Sequence, residues 1–160
     1  PRLLPEEETL CSPYNGKCGV ATKKSVPKEK LPLIRFGIVA VSHAKSNTLA
    51  IVYEHAQYEF QLLGIGAGQP NRIDCFEKLA LPRAAALIGA LGFDQEAALG
   101  SSVLASDGFF PFDDTIRLAA KAGIKLCVQP GGSKRDSEVI KAADELGVAM
   151  CMTGSRYFTH

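Results

Sequence analysis

Apolar positions fall along the chain in runs of two lengths, and those lengths assign the elements. The longest run, Lys28 to about Ala44, is dense in Leu, Ile, Val and Phe. It is bounded by Pro27 and by the polar Lys45-Ser46-Asn47, and Pro32 falls early enough for a first turn, so it predicts a helix. Thr48 to Tyr53 and Tyr58 to Ile65 predict two strands of an antiparallel hairpin joined across Glu54 to Gln57. A unit then repeats: short apolar strand, glycine-bearing loop, helix. Gln61 to Ile65 passes through Gly66-Ala-Gly-Gln-Pro-Asn71 into a helix starting near Arg72, and Val103 to Ser106 passes through a phenylalanine-rich loop into Asp113 to Ala122. Lys125 to Gln129 passes through Pro130-Gly-Gly-Ser-Lys134 into Asp136 to Leu146, and Val148 to Met152 is a last strand leading to Thr153-Gly-Ser-Arg156. The Ala- and Gly-rich stretch Leu81 to Ser101 shows no clear internal breaks. Residues 1 to 19 read as an irregular lead-in, and Val20 to Lys23 is too short to assign.

This alternation predicts an α/β fold over residues 20 to 160, a layered mixed β-sheet with helices. Parallel strands joined by right-handed crossovers end at the same sheet edge, so the loops after Ile65, Ser106, Gln129 and Met152 should converge there. Antiparallel pairing in the hairpin should set Asn47 beside the Gly66 loop.

Composition narrows the class without naming a partner. A length of 160 residues suits one domain or part of a larger one, and 46% hydrophobic with 22% charged residues suits a globular chain. A formal charge of +1 makes no case for nucleic acid or an anionic membrane as main partner. No uninterrupted apolar stretch of the ~18 residues of a transmembrane helix occurs. The chain opens at Pro1, without methionine or the features of a secretory signal, so an origin inside a longer polypeptide is expected. Five cysteines at Cys11, Cys18, Cys75, Cys127 and Cys151 show no zinc-ligand rhythm and read as reduced thiols of a cytoplasmic protein. Cys127 and Cys151 sit in strand-like runs and suit core packing. Cys11 and Cys18 flank a turn, where a metal pair or a disulfide stays open.

The chemistry collects at the predicted edge: Lys45 and Asn47; Gln69, Asn71 and Arg72; Asp107, Phe109, Phe110 and Asp114; Ser133 and Lys134; Arg156 and Phe158. Arginine offers a planar fork for phosphate or carboxylate, an asparagine can donate and accept on one heterocycle amide, and glycine-rich helix starts expose N–H groups to anions. A phosphorylated, nitrogen-rich small molecule fits, with an aromatic second substrate. Each residue also has a plainer role. Arg72 and Arg156 suit surface ion pairs, Phe110 and Phe112 suit core packing, and Asn47 suits a helix end. Asp114 and Ser133 suit helix caps, and His43 suits a helix surface or core position. Gly64-x-Gly66-x-Gly68 is a weak nucleotide signal, since its spacing is not that of the dinucleotide fingerprint.

Five segments together resemble the AICAR transformylase of the bifunctional purine biosynthesis family that also carries IMP cyclohydrolase. They are Lys45-Ser-Asn-Thr-Leu-Ala-Ile-Val52, Gly64-Ile-Gly-Ala-Gly-Gln-Pro-Asn-Arg-Ile-Asp74, Leu104-Ala-Ser-Asp-Gly-Phe-Phe-Pro-Phe112, Val128-Gln-Pro-Gly-Gly-Ser133 and Gly154-Ser-Arg-Tyr-Phe-Thr-His160. The resemblance covers residues 20 to 160 as the C-terminal half of the transformylase. It implies a cytidine-deaminase-like subdomain, without the deaminase zinc signature and with no metal required. The implied reaction transfers a formyl group from 10-formyltetrahydrofolate to the 5-amino group of AICAR, on the way to IMP. Carried over by motif, Asn47, Arg72, Phe109 and Arg156 bind AICAR, and Ile73, Asp114, Ser133 and Lys134 touch the folate.

The same resemblance places the catalytic lysine-histidine pair in a Lys-His-x-x-Pro-type segment of the first subdomain, which this chain lacks, so no catalytic residue is assigned here. His43 follows Ser42 in a different motif. Gly108 stands where the family commonly has alanine, and Tyr157 and Thr159 vary the usual ending. The implied partners are AICAR, folate, the missing first subdomain and a second copy in a homodimer. A non-catalytic paralogue that binds or senses purine intermediates, and a structural module that binds neither ligand, are the alternatives.

Overall fold

Three four-residue strands in which almost every residue is apolar or small, and the apolar first half of an eight-residue strand, build the middle of the molecule. The computed structural model describes residues 7–157. Its elements are α1 (Glu7–Cys11), β1 (Gly19–Val20), α2 (Leu31–Ser42), β2 (Leu49–Ala56), β3 (Glu59–Gly66), α3 (Arg72–Asp74), α4 (Leu81–Leu91), α5 (Gln95–Ser101), β4 (Val103–Ser106), α6 (Asp114–Lys121), β5 (Leu126–Gln129), α7 (Asp136–Leu146) and β6 (Ala149–Met152). A 3-10 turn, Lys28–Lys30, leads into α2, and a π-helical turn, Cys75–Ala80, joins α3 to α4. Pro82 has no N–H to return to the preceding turn, which fits a departure from α geometry just before it.

The strands form one mixed sheet in the order β1-β6-β5-β4-β2-β3. β4, β5 and β6 are parallel, whereas β2 runs antiparallel to both β4 and β3. β3 therefore points the same way as β4 to β6, and their carboxyl ends share an edge with the start of β2. Leu49 sits opposite Gly66 on one side and Ser106 on the other. The convergence expected from the alternation of elements is present.

Both faces of the central strands are covered, which is why their sequences run apolar without a polar alternate. Leu49, Ile51, Leu104, Cys127 and Met150 face one way, onto Phe76, Ala84, Ile88, Ile116 and Val139. Ala50, Val52, Val103, Ala105, Val128 and Cys151 face the other, onto Leu33, Ile34, Ile38 and Val41 of α2 and Leu10 of α1. Burial raises the thiol pKa of both strand cysteines, pushing Cys151 up to about 12. Both are core residues, as their surroundings in the sequence suggest.

Several boundaries differ from the sequence reading. The hairpin closes across Gln57 and Tyr58, not Glu54 to Gln57, because Ala56 pairs with Glu59 and Tyr58 takes a φ of 61° in the turn. Polar Glu54 and His55 extend the strand there, since that end of the hairpin faces solvent. Within the lead-in, α1 buries Leu10 and Gly19 pairs with Met152, and Val20 of the unassigned stretch pairs with Cys151. Leu81 to Ser101 resolves into α4 and α5, separated by Gly92 in the left-handed conformation and by Asp94, whose side chain accepts from Ala97 N–H. Asn47 does not end α2, which stops at Ser42. None of the five cysteines is in a disulfide. Cys11 Sγ faces the Val26 carbonyl at 3.7 Å, and Cys18 belongs to the Asn15 turn. Among the described residues no helix is long and apolar enough to cross a membrane, and no cluster of metal-ligating side chains occurs.

Gly64 and Gly66 serve packing. A Cβ at Gly64 would overlap the Ala80 carbonyl oxygen and lie 2.8 Å from Ala84 N, and a Cβ at Gly66 would overlap the Cys75 carbonyl oxygen. The π turn lies directly on the β3 backbone, so these glycines answer to a helix rather than to a phosphate.

Candidate functional site

Six buried polar residues, Thr48, Ser106, Asp107, Thr115, Gln129 and Thr153, lie at or just past the shared edge. Desolvated polar groups require partners, and tracing those partners builds the site. Asp107 Oδ1 accepts from Thr48 N–H and from Arg72 Nη2, each at 3.0 Å. Arg72 Nε donates to Ser106 Oγ at 3.2 Å, and Ser106 Oγ donates in turn to the Gly108 carbonyl at 2.6 Å. The Tyr157 N–H donates to the Asp107 carbonyl at 3.0 Å, drawing the last described turn of chain onto the same strand end. Gln129 Oε1 accepts from Phe110 N–H and Gly131 N–H, which fastens the loop after β4 to the loop after β5.

Arg72 belongs to this network, and Asn47, Phe109 and Arg156 flank its members Thr48, Asp107 and Tyr157 along the chain. Asn47 directly precedes Thr48. Its Nδ2 donates to the Gln69 and Pro70 carbonyls at 2.9 and 3.0 Å, and its own carbonyl accepts from Cys75 Sγ. The expected adjacency to the Gly66 loop holds, but the amide donors are already engaged, so Asn47 offers a ligand its Oδ1 rather than both ends of the amide. Burial raises the pKa of the Cys75 thiol and keeps it a donor. Arg72 is no surface pair, since its side chain is 13% exposed and that of Asp107 is fully buried. Of its five N–H groups, two are engaged by the protein among the described residues, which leaves a fixed fork with donors to spare. The Arg156 guanidinium lies 4.6 Å from the Phe109 ring centroid, a cation–π contact that covers one ring face.

Ile73, Asp114, Ser133 and Lys134 lie on the segments that follow β3, β4 and β5. Ile73 is on α3, which packs against α6, where Asp114 is the first residue. Asp114 does not cap α6, because Asp113 holds the cap position, and its Oδ1 accepts from Thr115 N–H and Oγ1 instead. Ser133 does not cap α7 either. Its Oγ accepts from Arg135 N–H within the loop, and the helix starts at Asp136. Lys134 is exposed. Phe110 is fully buried as expected, whereas Phe112 is 50% exposed with Arg135 4.8 Å from its ring centroid. The aromatic run resembles core, but of the three only Phe110 is buried, with its N–H held by Gln129 Oε1. Phe158, Thr159 and His160 lie outside the described residues.

Gln129 was not among the binding residues suggested by the sequence, and Asp107 stood there only as one polar group at the edge. The missing signal for both is tertiary, since their partners come from other loops. A concavity of about 520 Å³ along α7, lined by Lys23, Ser137, Ile140, Lys141, Asp144 and Glu145, is a solvated flank away from this chemistry.

Fold and site together define a class: a layered α/β domain with a polar, aromatic-flanked cluster at the carboxyl ends of its strands, where open α/β sheets hold small ligands. Residues 3–83 match the model of the AICARFT/IMPCHase bienzyme family, and the chain belongs to that family. It is 42% identical over 96% of its length to the bifunctional purine biosynthesis protein PurH of Acaryochloris marina, and 45% identical over 88% to that of Synechococcus sp.. Identity to PurH of Limosilactobacillus reuteri is 41% over 99% of the chain. The chain spans 26%, 23% and 28% of these three relatives, about a quarter of their length.

Proposed function

We propose that this chain is the C-terminal part of a cytoplasmic AICAR formyltransferase of purine (IMP) biosynthesis. It holds AICAR and 10-formyltetrahydrofolate, while a segment outside this chain moves the proton. The observation that carries the reading is the buried network at the strand ends that holds Arg72 through Asp107 and Ser106, with Asn47, Phe109 and Arg156 each within two residues of its members along the chain. In this reading the open face of Phe109 stacks on the imidazole, Arg72 donates to acceptors on the base, Asn47 Oδ1 accepts from an N–H, and Arg156 adds positive charge. Ile73, Asp114, Ser133 and Lys134 line the folate. In the reaction the AICAR amine attacks the formyl carbon, the new C–N bond forms as the bond to folate N10 breaks, and a proton passes from the amine to N10. Such a transfer needs a base and an oxyanion donor. The described histidines stand apart from the network: His43 Nδ1 faces the Val39 carbonyl, and His55 sits beside Glu59. That favours a base supplied by the first subdomain, and the same reading carries a homodimer as the assembly.

Calorimetric titration with AICAR tests the binding half. The wild-type chain is expected to bind, and Phe109→Ala to weaken binding about tenfold through lost stacking. Equal affinity of the two proteins would contradict the assignment. Binding of AICAR with none of folate would favour the purine-sensing alternative.

A further inference from the structure

Asp107 is a residue to which the family resemblance gives no role, yet Arg72 is bonded to it, and Asn47, Phe109 and Arg156 lie within two residues of it or of its backbone partners. Its carboxylate is fully buried, and Oδ2 has no hydrogen-bond partner among the described residues. Through Oδ1 it holds Arg72 and the N–H of Thr48, which follows Asn47. Through its backbone it donates to the Thr48 carbonyl at 3.2 Å and accepts from Tyr157, which follows Arg156. Phe109 lies two residues downstream. A buried acid is a poor choice for stability alone, because desolvation offsets most of what the ion pair gains. It is a good choice for orientation. Arg72 is gripped at two points of its guanidinium, Nε by Ser106 and Nη2 by Asp107, which fixes both the plane and the roll of the group. A lysine could not be held that way. Gly108 completes the arrangement, since a Cβ there would overlap Arg72 Nη2.

We infer that Asp107 is the positioning residue of the site, holding Arg72 in the orientation that meets AICAR; the inference rests on the AICAR reading above. The test uses the full chain, with AICAR and 10-formyltetrahydrofolate titrations and the ¹⁵N–H resonance of Arg72 Nε, assigned by its loss in Arg72→Lys. In the wild type that resonance is expected to be resolved and protected from solvent exchange. In Asp107→Asn and in Asp107→Glu it should collapse into the exchanging arginine envelope, AICAR affinity should fall about tenfold, and folate affinity should stay within about twofold. Asp107→Glu keeps the buried negative charge but moves the carboxylate by one methylene away from its place against Arg72 and Thr48, so it carries the test if Asp107→Asn does not fold. A folded Asp107→Asn with unchanged AICAR affinity, or an unchanged Arg72 resonance in both variants, overturns the inference. Absence of AICAR binding by the wild type overturns the functional reading and the ligand half of the inference, while the resonance still decides whether Asp107 holds Arg72.

Discussion

Gly66→Ala is expected to destabilise the chain by about 3 kcal/mol, lowering its melting temperature by about 10 °C. The glycine sits at the end of β3, and the atom its Cβ would strike is the backbone carbonyl oxygen of Cys75 rather than the tip of a flexible side chain. Relief requires the π turn to lift from the sheet. That turn carries Cys75, whose thiol donates to the Asn47 carbonyl, and it begins directly after α3. The substitution should therefore loosen Arg72 as well as the core. Gly89→Ala is the control: no atom lies within 4 Å of its Cβ, and inside α4 the change should stabilise by about 0.5–1 kcal/mol. Urea denaturation of the two variants checks the contrast. A Gly66→Ala midpoint equal to that of the wild type would show that the helix does not rest on the strand.

Arg72→Ala is expected to cost about 3–5 kcal/mol, more than most losses of a side chain at a protein edge, because it leaves Asp107 buried without its cation. Removing both partners should cost less than the sum of the two single losses, since no uncompensated charge then remains. A double-mutant cycle of Arg72→Ala with Asp107→Ala, read by denaturant midpoints, checks this. Strict additivity would mean that the 3.0 Å contact contributes no coupling.

Much of the frame was legible because it follows from elementary rules. Apolar runs bounded by glycine loops mark β4 to β6, right-handed crossovers put their ends on one edge, and antiparallel pairing sets Asn47 beside the loop after β3. The parts that were not legible depend on distant partners. Gly64 and Gly66 carry the same spacing whether a phosphate or a helix approaches, and only the fold shows Ala80 and Cys75 lying on them. Phe110 and Phe112 are alike in sequence, yet Gln129 pins the backbone of the first while the second emerges beneath Arg135. The part Asp107 plays was hidden because its partner Arg72 lies 35 residues earlier. Leu81 to Ser101 offered small residues without a period, and its break rests on one glycine and one capping acid.

Formyl transfer measured with this chain alone, and with the chain supplemented by the preceding transformylase segment of a PurH relative, decides whether the substrates are held here and the proton is moved elsewhere. The chain alone should show almost no turnover of AICAR with 10-formyltetrahydrofolate, and the supplemented mixture should turn over, with the rate at subsaturating AICAR lowered about tenfold by Phe109→Ala. Sustained turnover by the chain alone, or a supplemented rate indifferent to Phe109, would contradict it.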